Sequence, residues 1–115
     1  MNKQKQFDKM VSHLLEQNER SGKQDGYNAS WTCYYRHPEG KLKCAVGALI
    51  PDDKYDPEME GKDASRLIIK YPELKFDTEL ATDCQIVHDE NEPEQWPVQL
   101  LMVAAEHGLR YNGVR

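Results

Sequence analysis

The segment from Cys33 to Gly61, CYYRHPEGKLKCAVGALIPDDKYDPEMEG, limits the fold of this chain more than any other stretch. About a quarter of the chain, it holds two cysteines, a turn, an apolar run and a dense acidic stretch. His37-Pro38-Glu39-Gly40 fits a β-turn, with proline at the second position and glycine at the fourth. Just before it, Trp31, Cys33 and Tyr35 alternate with Thr32, Tyr34 and Arg36, the period of a strand with one buried face. The expected element is a small β-hairpin, with Trp31–Arg36 returning through Lys41–Val46. AVGALI then continues as a short apolar helix that stops at Pro51. Gly47 either weakens that helix or marks a close approach of two backbones. Residues 51–63, PDDKYDPEMEGKD, read as a loop, because proline and glycine break regular structure and the carboxylates repel one another unless neutralised.

Helical periodicity is clear on either side. Phe7, Met10, Val11, Leu14 and Leu15 fall on one face of a helix that starts near Lys3 and frays from Asn18. Residues 21–29 are a loop on composition. Asp63 can cap a short helix, ASRLIIKY, which ends before Pro72; RLIIKY fits a strand equally well. Asp77 is a good N-cap for a helix through about His88, with Leu80, Cys84, Val87 and His88 on one face. After NEPEQW a last helix runs to about His107, with Trp96, Leu100, Val103, Ala104 and His107 inward and Gly108 as its stop. The predicted fold class is α+β: one α-rich domain over residues 1–115, with about four helices, a small β-hairpin, and the loops 21–29 and 51–63 internal.

Composition narrows the function classes. The chain has 115 residues, 38% of them hydrophobic and 30% charged, with a net charge of −5. That length suits one domain with a modest core. The acidic balance argues against a surface that tracks nucleic-acid phosphates, though a local basic patch is compatible with it. MNKQKQFDKM has no apolar h-region, and no apolar run approaches the length of a membrane span. Three cysteines, an odd count outside any secreted framework, suit reduced thiols in a cytoplasm.

Four constellations could carry chemistry. Cys33 with His37, and Cys84 with His88, are both spaced C-x3-H and together offer a Cys2His2 set for zinc, with Cys44 as a spare thiolate. Against zinc stand the absence of a C-x2-C knuckle and the apolar setting of all three cysteines, which suits buried core thiols. Cys44 could meet His88 as a nucleophile–base pair, but nothing in the sequence lowers its pKa. Asp52, Asp53, Asp56, Glu58 and Glu60 could gather a hard cation. They lack the EF-hand spacing and its sixth-position glycine, so capping and pairing with Lys54, Lys62 or Arg66 explain them as well. His88-Asp89 matches the adjacent pair of metal-dependent phosphohydrolases, without the upstream histidines such sites need. No cofactor loop is present, so no cofactor is expected.

YYRHPEGKLKCAVGALIPDDKYDPEMEG resembles a group of short, uncharacterised bacterial and phage proteins, and VHDENEPEQWPVQLL looks like the partner segment of the same group. The likeness covers roughly residues 30–108 and brings no catalytic residue with it. It implies a bacterial or phage cytoplasmic setting. With no complete catalytic set, the leading expectation is a small non-enzymatic protein-binding module, a candidate regulator or inhibitor of a host protein. Tyr34, Arg36, Asp53, Tyr55 and Glu58 are its expected contact residues, with the C-terminal helix the next candidate surface. The alternative is a zinc protein or small enzyme built on Cys33, His37, Cys44, Cys84 and His88. A membrane or nucleic-acid partner is not expected.

Overall fold

α1 runs Lys3–Gln17, capped by the Asn2 side chain, which accepts from the Lys5 N–H. Its apolar stripe is the largest contribution of any helix to the core: Phe7, Met10 and Leu14 are fully buried and Val11 and Leu15 nearly so. Asn18 ends it in the left-handed region at φ 52°, with its N–H on the Leu14 carbonyl. The structure, a computed structural model, describes residues 2–24 and 31–113. Residues 25–30, which overlap the loop expected at 21–29, and the side chains of Gln24 and Trp31 lie outside that set.

The remaining elements are β1 (Gly22–Gln24), β2 (Trp31–Cys33), α2 (Ala45–Ala48), α3 (Ala64–Lys70), α4 (Thr78–Glu90) and α5 (Trp96–Glu106), with 3-10 turns at Pro57–Met59, Pro72–Leu74 and Pro93–Gln95. α2 is small but central. Ala45, Val46 and Gly47 are buried, and the helix packs against both α1 and α4. α4 and α5 pack together and against α1, closing one core over Leu80, Cys84, Val87, Trp96, Leu100 and Val103. This is the α-rich α+β domain that the periodicities predict.

The caps read from sequence are in place. Asp63 accepts from the Arg66 N–H and starts α3, so ASRLIIK is helix and not strand. Asp77 accepts from the Leu80 N–H and starts α4, and Gly108 stops α5 at φ 65°. Gly47 marks a close approach: a Cβ there would overlap the Tyr35 carbonyl.

The hairpin differs from its prediction. β2 pairs antiparallel with β1, in the register Gly22↔Cys33, Lys23↔Thr32 and Gln24↔Trp31, so a strand occupies part of the segment that composition marked as loop. The return through Lys41–Val46 is reduced to a single bridge, Arg36↔Lys43, and the His37 N–H on the Leu42 carbonyl. The cause is tertiary. The Gln17 side chain of α1 binds both backbone groups of Lys43, accepting from its N–H at 2.9 Å and donating to its carbonyl at 2.8 Å. One residue on, the Cys44 thiol accepts from the Gly47 N–H and starts α2, which ends any extended run. Opposite, the fully buried Ser21 fixes β1: its hydroxyl donates to the Tyr34 carbonyl and its own carbonyl accepts from the Tyr34 N–H.

Candidate functional site

Cys33 closes β2, and His88 and Asp89 lie in the last turn of α4. Packing of the hairpin on α4 brings them together: one ligand atom from each of Cys33, His88 and Asp89 lies within 4.8 Å of the others. Gln85, one turn before Asp89, completes the group. Its carbonyl oxygen accepts from the Val46 N–H at 3.1 Å, which fixes the orientation of the amide. The amide nitrogen therefore donates to Cys33 Sγ at 2.8 Å and to Asp89 Oδ1 at 2.9 Å. Cys33, Gln85 and Asp89 line a cleft of about 390 Å³, whose wall continues through Tyr35 and Val46 to Lys62 and Asp63.

The imidazole of His88 is fully buried, stacked on Trp96 at 5.6 Å between ring centres. Ser21 donates its backbone N–H to Nε2 at 2.9 Å. A backbone amide can only donate, so Nε2 carries a lone pair, and the proton of the neutral ring sits on Nδ1. Nδ1–H then donates to Asp89 Oδ1 at 2.7 Å. Burial opposes a charge on this ring; Asp89, then Cys33, favours one and carries the balance upward from the ordinary histidine pKa. Against them stands the Ser21 amide, which would face a second proton at Nε2. The Nδ1–H tautomer satisfies both neighbours at once.

That tautomer decides what the cluster can do. A metal beside Cys33 and Asp89 would need the lone pair of Nδ1, and the ring's other N–H would then have to meet an acceptor. Here the other nitrogen meets a donor. The same argument removes His88 as a base for Cys33, since Nδ1 holds its proton and the lone pair of Nε2 is taken by the Ser21 N–H. The thiol is itself unready for chemistry: its hydrogen bond with Cys44, and then burial, push its pKa well above the ordinary cysteine value. Such a thiol is a poor nucleophile. The arrangement serves as a clasp, locking Ser21 and the hairpin to the end of α4.

The four residues of the alternative zinc set are not assembled. Cys33 and His88 meet, but His37 turns away, with Nδ1 accepting from the Glu39 N–H and its ring edge against Tyr34. Cys84 points into the core, where burial pushes its thiol up to about 12. Cys44 is the buried cap of α2. Gln85 and Asp89 take the places that the C-x3-H reading gave to His37 and Cys84. No spacing rule would have found them, because Gln85 lies 52 residues from Cys33 along the chain.

Most of the acidic stretch is committed within the fold. Asp56 caps the 3-10 turn that follows it, and Asp63 caps α3. Glu60 accepts from the Tyr35 N–H at 2.9 Å, the Arg36 N–H at 3.0 Å and the Tyr55 hydroxyl at 2.6 Å. Asp52 pairs with Arg36 and Lys43, and Glu58 with Lys70. Of the expected contact residues, Arg36 stacks on the Tyr55 ring at 4.7 Å and donates to the Ile50 carbonyl. Tyr34 is half-buried and Asp53 is exposed. A partner at this surface would have to compete with the internal bonds of Arg36, Tyr55 and Glu58.

α5 offers a different surface. Its inward side is Trp96, Leu100, Val103 and Ala104. Its outward side is apolar as well: Val98, Leu101 and Met102 are 62%, 51% and 53% exposed, at helical spacing. The sequence held this signal, since WPVQLLMVAA keeps apolar residues on more than one face. Compared with protein-family models, with curated proteins and with solved structures, the chain matches none. Among the described residues, no helix is long and apolar enough to cross a membrane.

Proposed function

We propose that this chain is a small protein-binding module whose contact surface is the outward face of α5. The observation that carries this reading is the exposed stripe of Val98, Leu101 and Met102 on a helix already buried on its other side. A helix apolar all round is at home only when covered, and contiguous exposed apolar surface favours a partner. Glu94, in the 3-10 turn just before α5, and Glu106, its last residue, are both exposed and flank the stripe along the chain. A second copy laid along this stripe, in either direction, would set carboxylates against carboxylates. The partner surface that fits is an apolar helical face edged with lysine or arginine, which the net charge of −5 also favours. A bacterial or phage cytoplasm, and a role as regulator or inhibitor of a host protein, follow from the family resemblance and belong to this proposal. The metal or enzyme alternative has less support, because both nitrogens of His88 are engaged in the wrong sense for it.

A photo-crosslinker at Leu101 should capture one protein in the host that a crosslinker at Ile69, 80% exposed, does not. With that protein purified, Leu101→Glu should weaken the complex by ~10-fold or more, as loss of a central anchor does. The variant should keep the wild-type circular dichroism. Capture of this chain alone, or a complex indifferent to Leu101→Glu, would overturn the reading. A complex weakened instead by Tyr34→Ala would return the contact to the hairpin and acidic loop.

A further inference from the structure

On an acidic chain, the cleft beside α1 is basic. It measures about 450 Å³ and is lined by His13 of α1, Arg36, Lys41, Lys43 and Asp52, with Gly40 and Leu42. It shares no residue with the outward face of α5. Two features give it the character of a site. First, an anion already occupies it from within. Asp52 Oδ1 sits 2.7 Å from Arg36 Nη2 and 3.5 Å from Lys43 Nζ, on a side chain that is 83% exposed. A carboxylate therefore fits between these cations, held by pairs that water screens and a competitor can displace. Second, Arg36 is preorganised. The Ile50 carbonyl holds Nη2 and the Tyr55 ring supports the guanidinium, so little side-chain freedom is lost when it binds.

We infer that this cleft binds a phosphate-type oxyanion, with Arg36 and Lys43 as its principal contacts and Asp52 as the resident competitor. Arg36, Lys41 and Lys43 set three positive charges against the single negative charge of Asp52. A dianion, free or as the phosphoryl group of a larger molecule, balances that set better than one carboxylate. Guanidinium geometry suits phosphate, and lysine supplies the point charge beside it.

The test is an NMR titration of the full chain at fixed ionic strength, following Arg36 Nε–H and the Lys43 amide. Inorganic phosphate, phenyl phosphate and chloride are the three probes. Phosphate should shift both signals saturably and chloride should not. Asp52→Asn, at an exposed position, should tighten phosphate binding several-fold by removing the competing charge, and Lys43→Gln should weaken it by a similar factor. Equal affinity for the two phosphates would identify free phosphate as the ligand. Tighter binding of phenyl phosphate would identify a phosphoryl group carried on a larger molecule. Shifts that never saturate, that chloride reproduces, or that Asp52→Asn leaves unchanged would overturn the assignment. None of these outcomes depends on what α5 binds.

Discussion

Glu60 shows how one side chain can turn a repelling acidic stretch into a folded one. Its carboxylate gathers the N–H groups of Tyr35 and Arg36 and the hydroxyl of Tyr55, so the segment after Pro51 is tied back to the chain before the His37 turn. Tyr35 adds a hydroxyl bond to the Lys62 carbonyl on the same segment. Glu60→Gln keeps the size but places an NH2 group against at least one donor. Hydrogen bonds to a charged acceptor contribute about 1.5–3 kcal/mol each in net stability, and this network is only half-buried. We expect a loss of about 1.5–3 kcal/mol by urea unfolding. A loss below about half a kcal/mol, within the range of ordinary surface substitutions, would mean that water replaces the carboxylate here.

Among the helices, stability divides between caps and stripes. The caps at Asp63 and Asp77 fix where α3 and α4 begin, and each cap of this kind contributes about 1 kcal/mol. The stripes contribute more. Leu14 of α1 and Leu100 of α5 are fully buried, and Val103 is 7% exposed. Leu14→Ala and Leu100→Ala should each destabilise by about 2–5 kcal/mol through lost burial and the cavity left behind, with Val103→Ala at or below the low end. Chemical denaturation decides, and unchanged midpoints would show that these stripes do not hold the core. α5 differs from α1 in being apolar outside as well as inside. Truncating Leu101, 51% exposed, should therefore leave stability nearly untouched while partner binding suffers.

The whole molecule couples α1 to the basic cleft through His13, whose Nε2–H donates to the Lys43 carbonyl. Burial, and then the Lys43 charge, hold the His13 pKa below its ordinary value of 6.5 despite that bond. Lys41, Arg36 and Asp52 share the cleft, and Gln17 lies beside His13 on α1. The fold therefore favours the neutral ring. Its contribution to stability is complete above pH 6.5 and is lost as the pH falls from there through the depressed native value. His88 is shifted upward and acts in the opposite sense, so the comparison must be between variants. Between pH 7.5 and 5.5, in a buffer free of phosphate, wild type should lose more stability than His13→Gln. Equal losses would show that the neutral ring is not required.

Local chemistry determined the parts of this protein that a single turn of chain can encode. The stripe of α1, the caps at Asp63 and Asp77, the stop at Gly108 and the burial of Cys84 beside Leu80 and Val87 each depend on residues within a few positions of one another. Gly47 announced a constraint without saying what it approached. Tertiary structure alone decided what lies far apart in sequence. Ser21 and His88 meet across 67 residues, and that one bond fixes the hairpin partner, the tautomer of the imidazole and hence the chemistry open to Cys33. Gln17 reaches 26 residues to the backbone of Lys43 and removes the strand that the alternation before the turn had promised. Pattern can show that a polar backbone will need partners. Which distant side chains supply them depends on how the helices pack, and that is settled only when the core closes.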